Sequence, residues 1–173
     1  MSYPVVETSA TGLSVDNLST SVDVGLPTGT VAGNLLVAFI ASDGAITITE
    51  PGDWTEIVQG QTDTYASGGA FYRIAGASEP STYTFNVSAA EGIAGGIVRI
   101  SGAHATTPVN VSAWTETPAT STSSDAPAVT TTVNECLVLR FAYVDAGYTT
   151  GGPPATSIWA IEKGSVGGVG NMA

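Results

Sequence analysis

The chain is expected to fold as an all-β protein, an antiparallel two-sheet sandwich of jelly-roll-like form. Three observations predict it. No long stretch places apolar residues at i, i+3, i+4 and i+7, the spacing of an amphipathic helix. Short segments rich in Val, Ile, Thr, Tyr and Phe recur instead, bounded by Gly, Pro, Asp and Ser. Hydrophobic residues make up 43% of 173 positions, enough for the core of one domain, while charged residues are only 11%.

Residues 1–19 are small and polar without strong periodicity and read as an N-terminal arm; at least one of this arm and the tail 164–173 is expected to order against a neighbouring subunit. Residues 20–163 read as a single sandwich domain. Its first strand is expected over Thr20–Leu26. The second, Asn34–Ser42, contains the longest apolar run, Leu35 to Ala41. Alternation places Leu36, Ala38 and Ile40 on one face and Leu35, Val37 and Phe39 on the other. Both sets are apolar, so this strand should be central and covered on both sides.

Ala45–Thr49 and Trp54–Gln59 follow, separated by Glu50-Pro51-Gly52-Asp53, where Pro51 and Gly52 suit the middle of a type II turn. Gly69–Ala75, Ser81–Val87 and Gly95–Ser101 come next; Tyr83, Phe85 and Val87 alternate with Thr84 and Asn86, as on a half-buried strand. Val109–Thr115 reads as another strand. Ala128–Val133 and Cys136–Val144 read as a hairpin turning at Asn134-Glu135, and Ser157–Lys163 closes a set of about eleven. Thr115–Pro127 is a low-complexity surface loop, and residues 164–173 form a Gly-rich tail.

The motif Arg73-Ile74-Ala75-Gly76-Ala77 is echoed by Arg99-Ile100-Ser101-Gly102-Ala103, and each copy leads to Asn-Val-Ser-Ala. The two spacings differ by two residues, so this is no solenoid repeat; two similar corners of one sandwich account for it.

Charge excludes several partners. Fifteen Asp and Glu stand against four Lys and Arg, giving a net charge of −11 and an isoelectric point near 4.1. Arg73, Arg99, Arg140 and Lys163 are scattered singly, whereas nucleic-acid backbones require clustered cations. Anionic membranes are disfavoured in the same way, and no segment approaches the roughly 20 apolar residues of a span. The single Cys136 permits no internal disulfide and reads as a small buried hydrophobe.

No constellation for catalysis stands out, and the chain reads as non-enzymatic, with no cofactor and no metal. His104, the sole histidine, lies near Ser101, but a nucleophile also needs an oriented base, and no Gly-x-Ser-x-Gly elbow is present. His104 reads as an exposed loop residue. Asp43, Glu50, Asp53 and Glu56 cluster at strand ends. They read as solvated turn carboxylates, beside two alternatives, a Ca²⁺ site lacking the usual dense loop and a glycosidase carboxylate pair. Trp54, Tyr65, Tyr72, Trp114, Tyr148 and Trp159 could form a sugar-stacking platform; Trp54 and Tyr72 sit in the strongest strand patterns and read as core. Tyr3 and Val5 on the arm, with Trp114 and Tyr148 beside loops, are the partner-binding candidates. Three Asn-x-Ser triplets, at Asn17, Asn86 and Asn110, read as coincidence in a Ser-rich chain.

From Pro27 to Asn110 the sequence resembles a family of β-sandwich domains found in phage virion proteins and large bacterial surface proteins. The resemblance rests on four pieces in order. They are Pro27-Thr28-Gly29-Thr30-Val31-Ala32-Gly33-Asn34-Leu35-Leu36-Val37-Ala38; Pro51-Gly52-Asp53-Trp54-Thr55; Phe71-Tyr72-Arg73-Ile74-Ala75 with Glu79-Pro80 and Tyr83-Thr84-Phe85; and Ile97-Val98-Arg99-Ile100-Ser101-Gly102. It implies a jelly-roll-like module with a structural, decorating or adhesive role and no catalytic residues. The opening MSYPVVETSATG has neither the basic nor the apolar region of a secretory signal peptide, although the composition resembles that of extracellular β-proteins. Proteins made in a host cytoplasm and released within a virus particle reconcile the two. The expectation is a structural protein of a tailed-phage virion, foremost a capsid decoration (cement) protein on the capsid exterior. Its partner would be the major capsid protein or another virion protein, and the class implies self-association, commonly as a trimer. The rival is a receptor- or carbohydrate-binding module of a phage tail or surface protein.

Overall fold

The structure, a computed structural model, describes residues 3–14, 18–62, 64–116 and 126–143. Among them are eight strands and no helix: β1 (Val5–Leu13), β2 (Ser19–Gly25), β3 (Leu35–Asp43), β4 (Ile48–Thr49), β5 (Thr55–Thr62), β6 (Ala66–Ile74), β7 (Thr82–Glu91) and β8 (Ile93–Ser101). All pairings are antiparallel. One sheet has the order β1-β8-β3-β6-β5 and the other β2-β7-β4. The two pack face to face as a β-sandwich. The wiring, 1-8-3-6 opposite 2-7-4, is jelly-roll-like, with β5 joined to β6 at the edge of the larger sheet.

β3 occupies the middle of the five-stranded sheet, paired with β6 on one side and β8 on the other. Its two faces divide as alternation requires. Leu36, Ala38 and Ile40 enter the inner core with Val22, Val24, Ile48, Trp54, Phe71, Phe85 and Ile97. Leu35, Val37, Phe39 and Ala41 form an outer cluster with Ala70, Ala94, Val98 and Ile100. The inner cluster is the interface between the sheets; burying each large side chain there is worth about 1.5–3 kcal/mol.

Several expectations are corrected. Residues 5–13, read as part of an arm, form β1, which adds to the protein's own sheet along β8 from Val5↔Ser101 to Leu13↔Ala94. No residue of β1 is fully buried, and that lack of a strong apolar face is why no strand pattern is visible in the sequence. The turn before β5 is shifted by one residue. The Trp54 N–H donates to the Pro51 carbonyl at 3.3 Å, and it is Asp53, not Gly52, that has positive φ, at 71°. A short polar side chain tolerates that left-handed conformation.

Val109–Thr115, Ala128–Val133 and the described part of Cys136–Val144 are not strands. The chain does bend around Asn134-Glu135, where Glu135 has φ 65°. Cys136 is only partly buried, with its thiol 3.5 Å from the Val133 carbonyl. Ser157–Lys163 and the tail lie outside the described residues.

The sequence echo has a structural counterpart. Arg73 on β6 and Arg99 on β8 both stand opposite Leu36, one on each side of β3. Each then braces a loop. Arg73 pairs with the buried Glu79 at 3.0 Å, and Glu79 also accepts from the Tyr83 hydroxyl and the Gly76 N–H. Arg99 donates to Thr8 Oγ1 at 3.0 Å and Asn34 Oδ1 at 3.2 Å, tying β1 to the loop that precedes β3.

Candidate interaction surface

The outer face of the five-stranded sheet is apolar, and such a face must be covered. Here the cover is the chain that follows β8. Leu139, Phe141 and Tyr143 pack on the outer cluster, while Val138 just before them is 54% exposed and Arg140 between the first two is exposed. The run Cys136–Val144, expected as one strand of a hairpin, has a period-two pattern over its described part. It marks a segment lying with alternate side chains on an apolar surface, without a neighbouring strand to complete a ladder.

Glycines shape the seat. Gly60 on β5 and Gly68 on β6 are register partners, and Ala41 on β3 stands next in the row. A Cβ on Gly60 would overlap the Trp114 indole, and one on Gly68 would overlap the Tyr143 ring. Trp114 and Tyr143 lie nearly parallel, with centroids 5.4 Å apart and planes 14° from each other. Phe141 sits 5.8 Å from Tyr143 and 4.9 Å from Phe39. The Tyr143 hydroxyl donates to the Gly60 carbonyl at 3.2 Å. Burial pushes this phenol up to about 12, with a smaller upward push from Glu116 opposed by a hydrogen bond to Thr62. Asn110 and Thr132 knit the layer internally: the Asn110 amide donates to Thr132 Oγ1 and accepts from the Thr132 N–H, both at 2.9 Å.

The partner-binding candidates do not meet at one site. Tyr3 is 59% and Val5 50% exposed, at the start of β1 on one edge of the larger sheet. Trp114, 36% exposed, lies over β5 at the opposite edge, four strand spacings or about 19 Å away. Tyr148 lies outside the described residues, as do Asn17 and Trp159. Trp54 is in the core, edge-on to Tyr83 at 5.0 Å. Tyr72 packs against the outer cluster and Tyr65 is exposed. Phe141, Tyr143, Gly60 and Gly68 were not singled out in the sequence. Gly60 and Gly68 fall just outside the expected strands Trp54–Gln59 and Gly69–Ala75 but inside β5 and β6, where a glycine often marks close approach of another group.

Other constellations come apart. The Ser101 hydroxyl donates to Glu7 at 2.6 Å, not to His104. His104 is exposed, and its Nδ1 accepts from the Thr107 N–H at 3.1 Å in its own loop. Among the described residues no group of three or more His, Cys, Asp or Glu is placed to hold a metal ion. Asp43 accepts from the Gly44 N–H at 2.9 Å, and Glu56 accepts from Gln59 at 3.2 Å. The Glu91 carboxyl is raised from its ordinary value by desolvation and then by the charge of Asp43. Two of the four cations, Arg73 and Arg99, are spent inside the protein.

No family model, curated protein or solved structure matches this chain.

Proposed function

We propose that this protein is a non-enzymatic structural component of a tailed-phage virion, foremost a capsid decoration protein that binds the major capsid protein from outside. One observation carries the reading. Of eleven exposed large hydrophobic residues among those described, Val111, Trp114, Val133, Leu137 and Val138 lie on the layer over the five-stranded sheet, and Tyr3, Val5 and Leu13 lie on or beside β1. Exposed apolar side chains gathered in this way suit attachment to another protein surface. The ordered resemblance of residues 27–110 to virion and surface modules points the same way. A cement protein acts by mass action: binding only the assembled shell, it shifts the equilibrium towards it.

The test is reconstitution. Particles stripped of the protein should lose resistance to heat and regain it on addition of the purified chain. Val138→Asp with Leu137→Asp should lower occupancy on the shell while leaving the melting temperature near that of the parent. Attachment through apolar groups should change little with salt, whereas attachment of this acidic chain to a basic surface should weaken as the screening length falls below about 8 Å.

A second reading, a carbohydrate- or receptor-binding module, is favoured by the near-parallel Trp114–Tyr143 pair, which offers a partly exposed indole for stacking. Specific binding of the isolated protein to a bacterial polysaccharide, lost in Trp114→Ala, would replace the first reading with this one.

A further inference from the structure

β3 ends at Asp43 and β7 ends at Glu91, and the two carboxyl groups converge on one glycine. Asp43 Oδ1 accepts from the Gly44 N–H at 2.9 Å, and a Cβ on Gly44 would lie 2.7 Å from Glu91 Oε1. Gly44, at φ 73°, has no side chain to part them. Among the described residues neither acid is in an ion pair. Arg73 and Arg99 stand at the far ends of β6 and β8, holding Glu79 and Glu7, and Arg140 is exposed on the covering layer. The remaining described titratable group beside the pair is Tyr65, whose carbonyl accepts from the Gly44 N–H at 2.9 Å and whose ring is exposed. Two carboxylates held together without a cation repel, and one proton removes the repulsion.

Gly44 is also a junction. Its carbonyl accepts from the buried Ser67 hydroxyl at 2.7 Å, and Ser67 Oγ accepts in turn from the N–H of buried Ile46 at 2.9 Å. The Asp43 N–H donates to the Gly92 carbonyl at 3.0 Å. Gly92 is the single residue between β7 and β8, where the chain crosses from the smaller sheet to the larger. A push between the two acids therefore bears on a place where both sheets are joined.

We infer that Asp43 and Glu91 form a pH-sensitive clasp: with one of them protonated the Gly44 turn is held against the β7–β8 crossing, and with both ionised the turn loosens. Desolvation, and then the charge of Asp43, raises the Glu91 carboxyl above its ordinary value of 4.5. The folded state therefore holds that proton more tightly than the unfolded chain does. The cost of repulsion is present above the folded value and is relieved as pH falls through it towards 4.5. The pair is partly exposed, so water screens it and the loosening stays local, with the inner core intact. The inference does not depend on the virion reading: either can fail alone.

Amide hydrogen exchange of the full-length protein, read by NMR and corrected for the intrinsic rate at each pH, tests it. Protection of the Asp43 and Gly44 amides should rise roughly two- to fivefold between neutral pH and about pH 5. Glu91→Gln and Asp43→Asn should each give that higher protection at neutral pH and abolish its dependence on pH. The double variant should gain no more than either single one, because removing one charge already ends the repulsion. Additive gains would mean that each acid acts alone through the net charge of the chain, and would overturn the inference. A response to pH that survives in Glu91→Gln would overturn it too. Asp43→Asn keeps an oxygen to accept from the Gly44 N–H; if it disturbs the turn nonetheless, Glu91→Gln decides.

Discussion

One methyl group decides whether the outer layer can be seated. Gly68→Ala places a carbon inside the Tyr143 ring, so the ring must leave its notch. Overpacking of this kind should cost about 1–3 kcal/mol, read as a lower urea midpoint with an unchanged slope. Phe71→Ala in the fully buried inner core should cost about 3–5 kcal/mol by the same measurement. Tyr143 adds a pH dependence. Its phenol ionises near 12 in the folded protein and near 10.0 when unexposed to these neighbours. The unfolded chain therefore loses its proton first, and the stability from this group is present below pH 10.0 and lost as pH rises towards about 12. Ultraviolet titration should show a late-ionising tyrosine component, and Gly68→Ala should bring that of Tyr143 earlier. At this scale the sequence was legible where pattern is strong: Trp54 was read into the core from its strand. Gly60 and Gly68 were not, because a glycine names no partner until the chain that fills the space above it is placed.

Among the elements, β4 shows how a short edge strand is protected. β7 bonds one side of it. On the other side the Gln59 side chain of β5 accepts from the Ile48 N–H at 2.5 Å and donates to the Ile48 carbonyl at 3.2 Å. Gln61 donates to the Ile46 carbonyl at 2.9 Å. Two side-chain amides thus close the gap between β4 and β5 that a main-chain ladder would otherwise fill. Gln59→Ala should cost about 1–3 kcal/mol by leaving the Ile48 groups unpaired, and should promote aggregation detectable by light scattering. Edge strand β1 yields a different expectation from the one its sequence suggested. Deleting residues 1–12 removes a paired strand, the Thr8 partner of Arg99 and the Glu7 partner of Ser101. The melting temperature should fall, with or without a particle present. β3 was legible because both its faces are buried and both sets of side chains are apolar. β1 was not, since main-chain bonds hold it and the identity of its side chains matters little to them.

For the molecule as a whole, charge is the dominant field. A net charge of −11 with two of four cations engaged internally leaves acidic groups repelling one another across the surface. Moderate salt should raise the melting temperature by screening that repulsion, and solubility should be lowest near pH 4.1. A scan of melting temperature against sodium chloride checks the first, and turbidity against pH the second. The sandwich class was readable at this scale because recurrent short strands and turn residues leave few other solutions. The covering layer was not, because extended chain shows the same alternation whether it lies in a sheet or on one.

The pairing of Val5 with Ser101 has a consequence for how the covering layer is reached. Opposed residues in an antiparallel ladder are about 5 Å apart, so the start of β1 and the end of β8 lie side by side, and the covering layer sets out from the place where the first strand enters. The edge of the larger sheet and the root of the layer over its face thus share one corner of the molecule, and a change at that corner reaches both.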